Sequence, residues 1–271
     1  MNLKGGVGKT TLTANLCRAI CDERPLKILM IDTDPQCSLT LIFRTEEQVD
    51  QINEDRTFCG ILCDPVSNME RKVEHCAISV HPRIDLIPSH ERLIRPMLAS
   101  MIAHSNGRHA LRFGQMADNF SVLIETVQAK YDLIVLDTNP SGNLATFLAV
   151  KHAEYIVAPV SSDRFSIRGI ALMRELFCNE FEWLGREPWR LIPIINKVAN
   201  DIEAARVRDQ LKTRAQGSFG EEALIEYIRY SGFLDYDEKK MGFAADRHAW
   251  AMNAKQKSRM IENLQRAAKE Y

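Results

Sequence analysis

A glycine-rich segment close to the amino terminus carries the residues needed to bind phosphate. Residues 4–11 read Lys-Gly-Gly-Val-Gly-Lys-Thr-Thr and lead into an amphipathic helix predicted over residues 10–22. Glycines let the backbone curve around a phosphate chain, and the N–H groups at a helix N-terminus favour an anion. Lys9 should contact the β- and γ-phosphates, and the Thr10 hydroxyl should take one position around magnesium. The predicted nucleotide-binding residues of this loop are Gly5, Gly6, Val7, Gly8, Lys9, Thr10 and Thr11.

Two apolar runs of strand length end in aspartate. The run over residues 27–32 ends at Asp32 and is followed by Asp34, and the run over residues 131–137 ends at Asp137. Ligands in open α/β sheets bind at the carboxyl ends of the strands. A carboxylate at the tip of a buried strand can hold magnesium through water. These aspartates are therefore predicted to face the glycine-rich segment of residues 4–11, which we call the phosphate loop.

Further strands and helices must position these side chains. Strands are predicted over residues 84–89, 153–160 and 190–198, helices over 91–101, 115–130 and from 165 towards 183, and an exposed loop over 104–109. This alternation, without an internal repeat or a linker, favours an α/β fold. We expect a doubly wound, mostly parallel sheet with helices on both faces, built as a single domain over residues 1–271.

The glycine-rich loop followed by two strands that end in aspartate resembles, in its order along the chain, the motifs of ParA-type ATPases of the ParA/MinD superfamily. The ordinary G-x-x-x-x-G-K-[ST] loop would have glycine where this chain has Leu3, whereas Lys4 immediately precedes the glycines, as in the deviant Walker A motif. Asp34-Pro35-Gln36 follows the first acidic strand end, and Pro140-Ser141 follows the second. The fold expected from the resemblance is that of the P-loop NTPases.

The resemblance implies roles for individual residues. Lys4 would reach the phosphates of a partner protomer, Asp34 would orient the attacking water, and Asp32 would support the magnesium shell. The implied catalytic residues are Lys4, Lys9 and Asp34, and the implied metal-site residues are Thr10, Asp32 and Asp137. Asn196 matches an asparagine that reads the adenine edge, since an amide offers both a donor and an acceptor. The alternative, that Asn196 only caps the next helix, stays open.

The implied function is an ATP-dependent dimerisation switch with slow ATP hydrolysis, using ATP and Mg²⁺. It would act in plasmid or chromosome partition as a homodimer in the ATP state, with non-specific DNA and a ParB-like activating partner. The alternative is a positioning or regulatory ATPase that acts on a protein assembly without binding DNA. A metabolic ligase of the same superfamily, similar to dethiobiotin synthetase, is a third hypothesis, against which the Asp-Pro-Gln motif argues.

Charge and hydropathy restrict the partners. The 271 residues include 35 Lys+Arg and 36 Asp+Glu, for a net charge of -1, so any attraction to DNA must come from a local cluster. Each of two candidate clusters can also be an ordinary solvated helix face. They are Arg206, Arg208, Lys212 and Arg214, and Lys255, Lys257, Arg259, Arg266 and Lys269. No apolar run approaches the roughly 18–20 residues of a membrane-spanning helix, so we expect a cytoplasmic protein without membrane insertion.

Three further features lie outside the resemblance. Only three residues precede Lys4, too few for the strand of about five residues expected before a phosphate loop. Either the native start lies upstream of Met1, which we favour, or another segment or a very short strand takes that position. The part from about residue 217 matches no family pattern. Helical spacing over residues 255–271 predicts a helix that could dock on the body of the protein or lie on a membrane, and its small apolar face favours docking. A metal site at Cys59, Cys63, His75 and Cys76 is disfavoured, because their spacing is not that of structural zinc ligands.

Overall fold

A computed structural model describes most of the chain before residue 215 and two short segments after it. The described ranges are residues 5–64, 67–95, 107–139, 143–163, 165–166, 168–170, 172, 190–214, 226–229 and 242–243. Lys4, the cluster from Lys255 to Lys269 and the predicted C-terminal helix lie outside them. The chain divides into two compact units, one formed by residues 13–152 and 236–247 and the other by residues 1–12, 153–235 and 248–271. The single-domain assignment stays a prediction.

In the described residues before residue 153, helices alternate with short strands. They are α1 (Lys9–Glu23), α2 (Thr40–Phe43), α3 (Glu46–Asp50), α4 (Phe58–Cys63), α5 (Met69–Cys76), α6 (Gly107–Gln128) and α7 (Leu144–His152). Single 3₁₀ turns occupy Glu54–Arg56 and Glu91–Leu93. Among the helices that the structure describes, none combines the length and the apolarity required to cross a bilayer.

A four-stranded sheet forms the centre of the unit over residues 13–152 and 236–247. Its strands are β1 (Ile28–Asp32), β2 (Ile78–His81), β3 (Ile84–Ile87) and β4 (Leu133–Asp137), in the order β2-β3-β1-β4. β1 pairs in parallel with β3 and β4, whereas β2 is antiparallel to β3. All five residues of β1 are buried, because parallel neighbours flank it and helices cover it.

The longest helix of this unit packs through one face. Met116, Phe120, Leu123 and Val127 of α6 are buried at three- and four-residue spacing. Phe120 meets Phe58 of α4 edge to face, with ring centroids 6.0 Å apart. This apolar cluster includes Leu29 and Ile31 of β1, so it fixes the strand that ends at Asp32.

The other unit contains a second, wholly parallel sheet. Its strands are β5 (Tyr155–Val160), β6 (Arg190–Val198) and β7 (Glu226–Arg229), in the order β5-β6-β7. β6 is followed by α8 (Asp201–Arg214), which buries Ala204, Val207 and Leu211. Four of the five strand pairings in the described residues are thus parallel, which confirms the predicted α/β class.

Several predicted boundaries differ from the structure. α6 begins at Gly107 rather than at residue 115, so the loop predicted over residues 107–109 is wrong; Ala110, Leu111 and Arg112 have high helix propensity and extend the helix. β2 was not predicted, since it is a short, half-exposed edge strand without an apolar run. The helix predicted over residues 91–101 starts with a 3₁₀ turn, and its part from residue 96 lies outside the described ranges.

Candidate nucleotide-binding site

The phosphate loop adopts a conformation that requires glycine at two positions. Gly6 and Gly8 have φ values of +74° and +89°, a region that other residues rarely occupy. Between them, the Val7 side chain is buried. A Cβ atom added to Gly8 would lie 2.5 Å from Nδ2 of Asn196. Gly8 is therefore required both by its backbone conformation and by the close approach of the Asn196 amide.

Two consecutive residues at the end of β6 donate hydrogen bonds to this loop. Asn196 Nδ2 donates to the Val7 carbonyl oxygen at 2.9 Å, and Lys197 Nζ donates to the Gly6 carbonyl oxygen at 2.9 Å. Asn196 Oδ1 accepts from the Lys197 backbone N–H at 3.0 Å. Asn196 is buried, whereas Lys197 is exposed and has a left-handed φ of +59°.

The aspartates at the strand ends lie side by side in the other unit. Asp32 and Asp137 are register partners at the carboxyl ends of β1 and β4, and both are buried. Asp32 Oδ2 accepts from the Thr40 N–H at 2.8 Å and from the Thr40 hydroxyl at 2.7 Å. Asp137 Oδ1 accepts from the Thr13 hydroxyl of α1 at 3.1 Å. The two carboxylates thus lie next to each other at the strand ends, and that they face the phosphate loop stays a prediction.

The electrostatics of this pair follow from its burial. Removal from water, and next the negative charge of Asp137, raise the pKa of Asp32 to about 7, against the opposing effect of the hydrogen bonds from Thr40. Two neighbouring buried carboxylates repel each other when both are ionised. A bound cation would offset that repulsion.

Asp34 shapes the turn that follows β1. Its backbone N–H donates to Asp32 Oδ1 at 3.1 Å, and its Oδ1 accepts from the Gln36 N–H at 2.9 Å. The turn closes through the Cys37 N–H, which donates to the Asp34 carbonyl oxygen at 2.8 Å, with Cys37 at a φ of 54°. The Thr40 hydroxyl accepts from the Ser89 N–H at 3.0 Å, which joins this turn to the segment after β3.

The oxygen donors of this pair suit magnesium. Mg²⁺ usually keeps several waters and is bound by one or two carboxylates together with substrate phosphates. In the ranges that the structure describes, no cluster of three or more His, Cys, Asp or Glu side chains has the geometry to hold a metal ion. The carboxylates of Asp32 and Asp137 supply oxygen ligands of the kind that Mg²⁺ prefers.

Sequence reasoning missed three residues of these clusters. Thr13 and Thr40 orient the carboxylates of Asp137 and Asp32, and Lys197 contacts the loop. Thr13 and Thr40 could not be singled out in the sequence, because threonine is common and its hydrogen-bond partners were not known. Lys197 could have been noticed, because it directly follows Asn196. Lys4 lies outside the described residues.

A parallel sheet, a glycine loop at a helix N-terminus and acidic strand ends together define a P-loop NTPase fold. The chain belongs to the AAA_31 family, described as an AAA domain, whose model matches residues 1–180. Within it, curated relatives place the chain in the ParA-type group.

Two curated relatives illustrate this similarity. An uncharacterised protein of Methanocaldococcus jannaschii is 30% identical over 172 residues, which cover 64% of this chain and 61% of the relative. The chromosome partitioning protein ParA of Caulobacter vibrioides is 32% identical over 184 residues, which cover 65% of this chain and 60% of the relative. The matched region thus spans less than two thirds of the length of these relatives.

Solved structures confirm the fold. A plasmid partition protein of Borrelia burgdorferi B31 bound to AMPPNP superposes with a TM-score of 0.67 at 21% identity, covering 99% of this chain and 96% of that one. The ATP complex of a Cyanothece McdA variant superposes with a TM-score of 0.71 at 17% identity, covering 98% of this chain and 94% of that one. Cobyrinic acid a,c-diamide synthase of Mycobacterium smegmatis, with ADP and magnesium, superposes with a TM-score of 0.62 at 16% identity. The superposition covers 85% of each chain.

Proposed function

We propose that the protein is an ATP-dependent dimerisation switch that hydrolyses ATP slowly and acts in plasmid or chromosome partition. The observation that carries this proposal is the pairing of the buried Asp32 and Asp137 at adjacent strand ends, in a chain that also has a phosphate loop of ParA type. Relatives named as partition proteins, and similar structures with ATP or its analogue, support it.

Each site residue has a role in this proposal. Residues 5–11 would bind the phosphates through backbone N–H groups, with Lys9 on the β- and γ-phosphates. Asp32, Asp137 and the Thr10 hydroxyl would hold Mg²⁺, which supplies charge neutralisation when bound. Asp34 would orient the attacking water, and Lys4 would contact the nucleotide of a second protomer in a homodimer.

The proposed partners are non-specific DNA and a ParB-like activating protein. Arg206 is exposed on α8, and Arg208, Lys212 and Arg214 follow it on the same helix. Contacts of this kind to DNA phosphates release counterions, so they weaken steeply as the salt concentration rises.

Nucleoid-DNA retention and ATP turnover test the proposal together. We expect the full chain to be retained on DNA at low salt with ATP and not with ADP, and to release phosphate slowly. Asp34→Ala should retain DNA in ATP but lose turnover, whereas Asp50→Ala, on the exposed surface of α3, should behave like the wild type. Absence of ATP binding would refute the switch. ATP turnover without ATP-dependent DNA retention would instead favour a positioning or regulatory ATPase that acts on a protein assembly.

A further inference from the structure

Hydrogen bonds from the end of β6 fix the direction in which two peptide groups of the phosphate loop point. We infer that Asn196 and Lys197 are positioning residues that orient two successive N–H groups of the loop towards a bound phosphate chain. This inference rests on the proposed nucleotide binding and adds to it a role for the end of β6.

The geometry of the peptide group carries the inference. In a trans peptide the C=O and the following N–H lie in one plane and point in opposite directions. Lys197 Nζ binds the Gly6 carbonyl at 2.9 Å, and Asn196 Nδ2 binds the Val7 carbonyl at 2.9 Å. Both carbonyls are thereby held on the side of β6, so the N–H groups of Val7 and Gly8 point away from it. Successive N–H groups exposed in this way form an anion-binding nest.

The Asn196 side chain and the Lys197 backbone are themselves fixed. Asn196 is only 6% exposed, and its Oδ1 accepts the Lys197 N–H, which leaves Nδ2 facing the Val7 carbonyl. Lys197 has a φ of +59°, a conformation unfavourable for lysine that persists only where surrounding contacts impose it. Gly8 leaves room for this arrangement, since a Cβ there would lie 2.5 Å from Asn196 Nδ2.

Loop positioning and adenine reading by Asn196 make different predictions. A residue that reads adenine discriminates ATP from GTP and has no effect on a ligand without a base. A residue that orients the loop affects every ligand with a phosphate chain to the same extent. Inorganic tripolyphosphate, which has no base, therefore separates the two roles.

The experiment is calorimetric titration of the full chain with ATP, GTP and inorganic tripolyphosphate in the presence of Mg²⁺. Asn196→Ala and Lys197→Ala are each expected to weaken ATP and tripolyphosphate binding by about tenfold, with an unchanged ratio of ATP to GTP affinity. Lys197→Arg should recover most of the loss, because arginine keeps a donor that can reach the Gly6 carbonyl. Asn196→Ala changes no charge, so its effect cannot come from lost attraction to phosphate.

Matched controls are available in the same chain. Asn200→Ala removes an asparagine whose Oδ1 accepts the Glu203 N–H at the start of α8, and Lys151→Ala removes a lysine from α7; neither should change tripolyphosphate affinity. Thermal unfolding should show that Lys197→Ala, a change at an exposed side chain, folds as the wild type does.

The outcomes distinguish the inference from the proposed function. If the wild type binds ATP and tripolyphosphate, and Lys197→Ala and Asn196→Ala bind tripolyphosphate as tightly, the inference is overturned while the proposed function stands. If Asn196→Ala loses affinity for ATP and the preference for ATP over GTP but keeps its affinity for tripolyphosphate, Asn196 reads adenine and its positioning role is overturned. If the wild type binds neither ligand, both the proposed function and the inference fail.

Discussion

Asp32 and Asp137 are register partners at the carboxyl ends of the parallel strands β1 and β4, and each is oriented by a threonine, Thr40 and Thr13 respectively. This arrangement places two buried carboxylates next to each other, and the pKa of Asp32 is raised as a result of burial and of the charge on Asp137. Buried charges persist in proteins where they are paired or coordinate a metal. The pair is therefore the feature on which a magnesium-dependent function is most directly tested.

The first prediction concerns magnesium. Asp137→Asn should preserve the fold, because an asparagine Oδ1 can still accept the Thr13 hydroxyl, but it removes one charge from the carboxylate pair. We expect Mg²⁺ to strengthen ATP binding by the wild type and to strengthen it far less for the variant, measured by calorimetry with Mg²⁺ or with EDTA. Asp50→Asn on α3 is the control. An Asp137→Asn protein with undiminished magnesium dependence would exclude Asp137 from the metal site.

The second prediction concerns the glycine loop. Gly8→Ala should reduce ATP affinity by about 10- to 100-fold, because a left-handed backbone costs alanine about 1–3 kcal/mol and its Cβ would collide with Asn196. A Cβ at Gly8 would lie 2.5 Å from Asn196 Nδ2, whereas at Gly5 it would meet nothing within 4 Å, so Gly5→Ala is the matched control. Equal affinities of the two variants for ATP would contradict this account of the loop.

The third prediction separates the two lysines of the loop and follows from the resemblance to ParA-type ATPases. Lys9→Ala should abolish ATP binding, since Lys9 would neutralise charge on the phosphates of the nucleotide bound to its own protomer. Lys4→Ala should retain ATP binding but lose dimerisation and hydrolysis, because Lys4 would act on the partner's nucleotide. Calorimetry and sedimentation with ATP measure the two properties independently. Similar losses of ATP affinity in both variants would refute this division of roles.

The fourth prediction concerns stability. Phe243 is 1% exposed and meets the Phe43 ring edge to face at 4.8 Å, beside a hydrogen bond from the Gly242 N–H to the Ile42 carbonyl oxygen. Phe243→Ala should lower the free energy of unfolding by about 3–5 kcal/mol, because it leaves a cavity against α2. Chemical denaturation measures this change. Phe165→Ala, at a side chain that is 75% exposed, should cost far less, and comparable losses would show that the contact with Phe43 contributes little.

Local patterns were sufficient to predict the elements that bear the candidate residues. The strands predicted over residues 27–32, 131–137 and 190–198 correspond to β1, β4 and β6, because a parallel strand needs a stretch of apolar residues that is visible in the sequence. The edge strand β2 and the start of α6 were not predicted, since their stabilising partners lie elsewhere in the chain.

The sequence by itself determined the chemistry that is present: a glycine loop with Lys9 and Thr10, acidic strand ends and a ParA-type order of motifs. Only the tertiary structure decided which groups meet. Register between β1 and β4 sets Asp32 beside Asp137, and the end of β6 brings Asn196 and Lys197 to the carbonyls of Val7 and Gly6, 189 and 191 residues away in the chain. Hydrogen bonds across such separations depend on strand pairing and packing, which no local pattern encodes.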